Sequence, residues 1–174
     1  MKKIIVINGL PCSGKKTIGK KLAEKLDYGY FSLNEYIREQ IEAKTELGLL
    51  SKKYKEANKE MPDEYIIPFI KALIIDYKKE GIIFNGFPKN ISQAKTLNAF
   101  LYARKIQRVI PINLVSDLTI IRKRVEKASL NYDEQMSLYN SNQKPMIDFF
   151  KAYALKINVD DNIDNVLAEI LEKL

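Results

Sequence analysis

The chain has 174 residues, 46% of them hydrophobic, and a formal net charge of +7. This length favours a single domain with enough apolar material for a substantial core. The lone cysteine excludes an internal disulfide, and the lack of histidine excludes histidine-based acid–base catalysis and histidine-ligated metals. No apolar stretch reaches the roughly 18 residues that a membrane span needs. We therefore expect a cytoplasmic protein without a membrane partner, and a monomer.

The positive charge comes from 24 lysines dispersed along the chain and only five arginines. Dispersed lysines are typical of a solvated surface, whereas a nucleic-acid interface concentrates its charge in one patch. We therefore expect no nucleic-acid partner. A nucleic-acid-binding protein on the same fold stays a third hypothesis, which the net charge alone supports.

Strand-like runs and helical patterns alternate along the chain. Apolar runs typical of strands occupy residues 4–7, 28–32, 81–84, 109–115 and 154–159. Helical periodicity marks residues 17–26, 62–79, 91–101, 117–128 and 163–174. A repeated strand–helix–strand order predicts an α/β fold with a parallel sheet covered on both faces. The polar stretch 42–60, with the helix after it, indicates a helical insertion between strands.

A glycine-containing segment joins the first predicted strand to the first predicted helix. It places Gly9 and Gly14 five residues apart and puts Lys15 directly after them. Backbone amides at such a junction, together with the positive end of the helix, bind phosphate groups. Lys16 takes the position at which the common phosphate loop carries a magnesium-binding Ser or Thr. The alternative interpretation is a strand-to-helix turn that contains these residues by chance.

The segment resembles the phosphate loop of adenylate kinase and the related nucleoside monophosphate kinases, which reads Gly-x-Pro-Gly-x-Gly-Lys-Gly-Thr. Five residues match in place and two glycines are replaced by Cys12 and Lys16; the matches are Gly9, Pro11, Gly14, Lys15 and Thr17. The resemblance continues through four further segments, of which the last is the most specific: residues 31–38, 45–48, 61–64 and 85–94.

This resemblance implies a three-layer P-loop NTPase fold, with a five-stranded parallel sheet flanked by helices. It also implies one P-loop kinase domain over residues 1–174. Residues 33–62 would form a small helical insertion that binds the monophosphate, and residues 127–134 would form a very short lid. The implied activity moves the terminal phosphate of ATP, accompanied by Mg²⁺, to a nucleoside monophosphate.

The resemblance also implies roles for particular residues. The ATP site would comprise Gly9, Pro11, Cys12, Ser13, Gly14, Lys15, Lys16, Thr17 and Lys123. The monophosphate site would comprise Ser32, Leu33, Arg38, Gly86, Phe87, Lys89 and Gln93. The charge that develops during transfer would be neutralised by Lys15, Lys89 and Arg124. Because pyrimidine-using relatives tend to carry asparagine at the position of Gln93, the glutamine favours AMP as acceptor.

Which residue of the basic cluster 122–124 lies over the donor base is open between Lys123 and Arg124. The alternative for either residue is a solvated helix face. Leu33 departs from the threonine of the adenine-using relatives, and this departure weakens the case for AMP.

Several residues that the family uses for charge are also changed. In the family, an aspartate at the position of Asn85 orders the waters of a magnesium ion. Asn85 lacks the charge of that aspartate and could at most hydrogen-bond those waters. Lys89 stands where an arginine clamps the acceptor phosphate, and it keeps the charge without the bidentate geometry. The short lid contains neither arginine nor glycine, and a later arginine aligns with Gln135.

These changes leave two functions open. The first is a slow or divergent kinase in which Lys16, Lys89 and Lys127 supply replacement charge. The second is a nucleotide-binding pseudoenzyme that serves as a sensor or partner protein. We favour the enzyme because Lys15, Arg38 and Gln93 would have no reason to persist together in a purely structural relic.

Overall fold

The computed structural model of the chain describes residues 2–57 and 59–174. Its five strands lie parallel in the order β2-β3-β1-β4-β5. The strands are β1 (Lys3–Gly9), β2 (Gly29–Ser32), β3 (Gly81–Asn85), β4 (Ile110–Val115) and β5 (Leu155–Asn158). The α/β class and the five-stranded parallel sheet predicted from the sequence are therefore confirmed.

Helices connect the strands and cover both faces of the sheet. They are α1 (Lys15–Leu26), α2 (Leu33–Glu42), α3 (Glu46–Glu56), α4 (Asp63–Asp76), α5 (Ile91–Ala103), α6 (Leu118–Lys127), α7 (Tyr132–Leu138), α8 (Lys144–Phe150) and α9 (Ile163–Lys173). A π-helical turn, Tyr139–Gln143, joins α7 to α8 without a break. Among the described residues, no helix combines the length and the apolar character that crossing a membrane requires.

The central strand β1 shows why the sheet is buried on both faces. Ile4 and Val6 point into a cluster that includes residues of α4, α5 and α8. Ile5 and Ile7 point to the opposite face, into a cluster that includes residues of α1 and α9. Alternate side chains of a strand point to opposite faces, so an unbroken apolar run is what a sheet between two helical layers requires.

The pair formed by α2 and α3 packs at very short range. A Cβ added to Gly48 would lie 2.0 Å from the carbonyl oxygen of Gln40, so only glycine fits at this contact. Thr45 begins α3, and its side chain accepts a hydrogen bond from the amide of Gly48. These contacts hold the two helices together as one wall of the site described next.

Candidate functional site

The loop between β1 and α1 has a backbone that demands glycine at both ends. Gly9 has φ +145°, and a Cβ there would lie 2.5 Å from the carbonyl oxygen of Leu114. Gly14 has φ +86° and precedes α1. Cys12, with φ +55°, adopts the left-handed conformation that most side chains avoid. The loop thus closes tightly over the start of α1, where the amides of a helix N-terminus face an anion.

Lys15 lies under this loop. Its Nζ donates hydrogen bonds to the carbonyl oxygens of Gly9, at 2.9 Å, and Leu10, at 2.7 Å. Burial lowers the pKa of Lys15 to about 8, because the surrounding protein solvates an ammonium less well than water does. The two carbonyl oxygens carry only partial negative charge. A phosphate group bound at the loop would offer the Lys15 ammonium a full negative charge.

Ser13 is also buried in the loop, and its Oγ makes no hydrogen bond within residues 2–57 and 59–174. A Cβ on Gly9 would come within 3.1 Å of this oxygen. Pro11, half-buried, completes the loop. The Ser13 hydroxyl therefore lies beside the position that a side chain at residue 9 would occupy.

Two other residues predicted to bind ATP point away from the loop interior. Lys16 is exposed and forms an ion pair with Glu35 at 2.5 Å, and Lys20 lies 3.6 Å from the same carboxylate. The hydrogen bond from Lys16 lowers the pKa of Glu35. Thr17 is exposed on the first turn of α1. The charge that replaces a family glycine at Lys16 is therefore directed at α2.

A cavity of about 540 Å³ lies beside the α2–α3 wall and the start of α4. Its lining brings together Leu33, Arg38, Lys89 and Gln93, four of the seven residues predicted to bind the monophosphate. Sequence reasoning missed several of its other residues, which include Asn34, Tyr54, Glu60 and Met61. Asn34 lies on α2, Tyr54 on α3, and Glu60 and Met61 precede α4, so only the tertiary packing of these segments brings them to one cavity.

The two basic side chains of this cavity differ in exposure. The Arg38 side chain is 63% exposed, and its Nε lies 3.8 Å from a carboxylate oxygen of Glu42 one turn later. Lys89 is half-buried, and burial lowers its pKa. Arg38 is therefore free to turn toward an anion from solvent, whereas the Lys89 side chain is partly enclosed by the protein.

Gln93 is buried in the cavity wall, with 3% of its surface exposed. Its Nε2 donates to Oδ1 of Asp63 at 2.7 Å, and its Oε1 accepts from the backbone amide of Lys89 at 2.7 Å. Gln93 lies on α5, which begins after Asn90. The Asn90 side chain accepts a hydrogen bond from the backbone amide of Gln93. Both ends of the glutamine amide are thus fixed by protein groups.

A second cavity, of about 240 Å³, contacts both sites. Its lining includes Lys15 from the loop and Lys89 and Glu60 from the first cavity. On its far side lie Asn142 and Gln143, from the π-helical turn, which the sequence did not predict. This second cavity is the space that connects the phosphate loop to the larger cavity.

The remaining residues predicted for the monophosphate have other surroundings. Ser32 begins α2, and its Oγ accepts from the amide of Glu35 at 3.4 Å. Phe87 is 1% exposed and packs in the core near Phe84, so its side chain does not form the cavity wall. Gly86, with φ +77°, lines the second cavity. Of these three residues, only Gly86 faces a cavity.

Asn85 ends β3 at the edge of the second cavity. Its Nδ2 donates to the hydroxyl of Tyr30 at 2.9 Å, which leaves the Asn85 Oδ1 to accept. Within the described residues, no group of three cysteine and carboxylate side chains could hold a metal ion. Asn85 and Glu60 line this cavity with an amide and a carboxylate, oxygen donors of the kind that contact a phosphate-bound magnesium ion through its waters.

The basic cluster on α6 packs against two neighbouring segments. Arg124 is half-buried, and its Nη2 donates to the carbonyl oxygen of Val159 at 3.3 Å. Arg122 lies over the ring of Tyr132, 4.0 Å from its centroid. Lys123 is exposed between them. Arg124 thus meets the loop after β5, and Arg122 anchors the first residue of α7.

The segment predicted as a short lid is a turn followed by the first residues of α7. Helix α6 ends at Lys127, and Ser129 has φ +57° in the turn that follows. Tyr132 and Met136 of α7 pack against a small cluster formed by Leu10 of the phosphate loop with Ile121 and Val125 of α6. Gln135, beside Met136, is half-buried and is not among the residues that line either cavity.

Comparison with known proteins gives a consistent result. The family model described as adenylate kinase matches residues 7–155. The chain is 29% identical over 181 residues to an adenylate kinase of Bacteroides thetaiotaomicron, with 97% of this chain and 96% of that protein covered. It is 30% identical over 158 residues to an adenylate kinase of Phocaeicola vulgatus, covering 84% of each chain. An adenylate kinase of a Mycobacterium species is 29% identical over 180 residues, covering 98% of each.

Proposed function

The chain belongs to the adenylate kinase family, whose members transfer phosphate between ATP and AMP, and we propose that the transfer takes place in the two cavities and the phosphate loop. The arrangement that carries the proposal is the second cavity, which is lined by Lys15 on one side and Lys89 on the other. Phosphoryl transfer needs two nucleotides aligned end to end, with their charge neutralised and water excluded.

ATP binds with its phosphates on the loop 9–17. The amides before α1 and the helix dipole attract the phosphates, and the Lys15 ammonium moves from the carbonyl oxygens of Gly9 and Leu10 to the terminal phosphates. Arg124 or Lys123 lies near the donor base, on the side of the sheet where α6 meets the loop after β5. Burial of Lys15 strengthens its attraction to phosphate, because the local dielectric is lower than that of water.

AMP occupies the larger cavity. Arg38 supports this because its planar fork matches two phosphate oxygens and its side chain is held only by a long contact to Glu42. Gln93 offers an amide to the base from the buried wall. The acceptor phosphate then reaches the second cavity at Lys89, which lines both spaces.

Lysines supply part of the charge that the family draws from arginine. Lys89 lines the cavity through which the transferred group passes. Lys16 is engaged by Glu35, so its contribution requires that this ion pair opens when ATP binds. A Mg²⁺ ion bound with ATP would further neutralise the phosphates, and Asn85 Oδ1 and the Glu60 carboxylate are the groups that would contact its waters.

A single copy of the chain is sufficient for this reaction, since both cavities are formed within one chain. The monomeric state and the cytoplasmic location stay predictions. Size-exclusion chromatography with light scattering tests the first of them directly.

The acceptor is tested by a coupled assay with ATP and each monophosphate in turn. We expect kcat/KM for AMP to exceed that for CMP and UMP by about tenfold or more, because a purine fits the amide that Gln93 presents. Equal turnover of the three monophosphates, or faster turnover of UMP, would reject AMP as the preferred acceptor.

A further inference from the structure

The amide of Gln93 is held at both ends by groups of opposite hydrogen-bonding character. Its Nε2 donates to Asp63 Oδ1 and its Oε1 accepts from the Lys89 backbone amide, each at 2.7 Å. Asp63 is the first residue of α4, and it does not line the cavity that Gln93 lines. The Asp63 carboxylate therefore contacts Gln93 on the side that faces away from the cavity.

These partners fix which end of the amide lies where. A carboxylate oxygen only accepts hydrogen bonds, and a backbone N–H only donates them. Rotating the Gln93 amide by half a turn would set its oxygen against Asp63 and its NH₂ group against the Lys89 amide. Both contacts would then be repulsive, and the partly buried Asp63 carboxylate and Lys89 amide would lose their partners. The amide is restricted to one of its two orientations.

The restriction matters because purine bases differ in the polarity of the same edge. A 6-aminopurine presents an amino donor beside a ring-nitrogen acceptor, whereas a 6-oxopurine presents a carbonyl acceptor beside a ring N–H donor. One amide pairs with either edge, provided that it can turn over. An amide that is prevented from turning over pairs well with only one of them.

We propose that Asp63 is a positioning residue that makes the acceptor site selective for 6-aminopurine over 6-oxopurine monophosphates. It acts through Gln93 and does not touch the base. This inference rests on the proposed function, because the proposed acceptor, AMP, decides which of the two purine edges the fixed Gln93 amide pairs with in the larger cavity. Asp63 would thus contribute selectivity between purine bases, which the phosphate contacts alone do not supply.

IMP is the matched probe, because it differs from AMP only in the 6-oxo group and the adjacent ring proton. We expect wild-type kcat/KM for AMP to exceed that for IMP by about 100-fold or more, since a site built to pair with one edge leaves polar groups unpaired with the other. In Asp63→Asn, whose side-chain amide both donates and accepts, we expect this ratio to fall by about tenfold. Asp63→Glu retains an acceptor-only group and should keep the ratio within about threefold of wild type.

Glu64→Gln is the control, because Glu64 is the neighbouring exposed carboxylate in the first turn of α4. It loses the same charge near the helix N-terminus without a contact to Gln93. A purely structural role for Asp63 would lower AMP and IMP turnover in equal proportion and leave their ratio unchanged. That result in folded Asp63→Asn would overturn the inference.

The wild-type protein provides a test that does not depend on any variant. Transfer to AMP and IMP with similar kcat/KM would overturn the role of Asp63 while leaving the proposed function intact. A wild type that phosphorylates neither purine monophosphate would overturn the proposed function, and the inference with it. A large preference for AMP that Asp63→Asn reduces supports both.

Discussion

The proposed donor and acceptor sides of the site differ in what their charged groups contact. On the donor side, Lys15 is bonded to two carbonyl oxygens of its own loop and Lys16 is paired with Glu35. On the acceptor side, Arg38 and Lys89 line an open cavity. The donor loop therefore has to exchange protein contacts for phosphate contacts, whereas the acceptor cavity presents its charge before a ligand arrives.

The two sides of the site also carry different kinds of departure from the family sequence pattern. The changes in the phosphate loop are Cys12 and Lys16, and they coexist with positive φ values at Gly9 and Gly14, the conformation that lets the loop present its amides. The changes beside the second cavity replace groups that would neutralise charge, as at Asn85 and Lys89. We therefore expect binding to be largely preserved and the rate of transfer to be the property that is reduced.

Removal of the loop lysine should have the largest effect. Lys15→Met deletes the ammonium that reaches the terminal phosphates, and we expect kcat/KM for ATP to fall by about 1000-fold. Lys25→Met, an exposed lysine in the last turn of the same helix, is the control and should retain wild-type activity. A Lys15→Met enzyme within tenfold of wild type would exclude the loop as the donor site.

Loss of the fork on the acceptor side should have the next largest effect. On the proposed assignment, Arg38→Ala would remove two charge-assisted hydrogen bonds to the acceptor phosphate, so we expect the KM for AMP to rise by about 100-fold while the KM for ATP changes little. Arg104→Ala, at an exposed position over Phe100, provides the control. A parallel rise in both KM values would show that Arg38 does not distinguish the two sides.

Restoring arginines should raise the rate. Lys89→Arg introduces a planar fork beside the second cavity, and Gln135→Arg restores the arginine that the family resemblance places on α7. If these arginines return 1.4 kcal/mol of transition-state stabilisation, turnover should rise about tenfold. ATP affinity should stay nearly constant, which calorimetry measures. The control pair is Lys95→Arg with Gln107→Arg, at exposed positions. Gln135 lines neither cavity. If the folded double variant turns over at the wild-type rate, the alignment of Gln135 with the family arginine is rejected.

The pH dependence of ATP binding should show the smallest effect. Burial lowers the pKa of Lys15 to about 8 in the ligand-free chain, and ATP binds the protonated form. Affinity is therefore full well below pH 8 and falls as the pH rises through it, by about fourfold between pH 7 and pH 8.5. In Lys15→Arg the charge persists, so the affinity ratio of the two proteins should follow this curve. A ratio independent of pH would contradict it.

The sheet and its helices were predictable because their determinants are local. Apolar runs such as residues 4–7 and 81–84 need no knowledge of their partners to identify buried parallel strands. The ion pair of Lys16 with Glu35 could not be predicted in this way. It joins residues on different helices, and it depends on the angle at which α2 leaves the sheet.

The candidate site was predictable only where a residue falls within a recognisable segment. Arg38, Lys89 and Gln93 do so, and the structure brings them to one cavity. Asn142 lies on a π-helical turn that precedes Pro145. A proline cannot donate to the carbonyl four residues earlier, and a widened helical turn is one response. Pro145 is the one sequence signal at this place, and it does not specify which side chains the turn directs at the site.

The central claim is that this chain still transfers phosphate despite the missing arginines. The direct measurement is incubation of the purified wild-type protein with ATP labelled in its γ-phosphate, Mg²⁺ and unlabelled AMP, followed by separation of the nucleotides. We expect labelled ADP that forms only when AMP is present. ATP that raises the melting temperature of the protein while no labelled ADP forms would contradict the account and identify a nucleotide-binding pseudoenzyme.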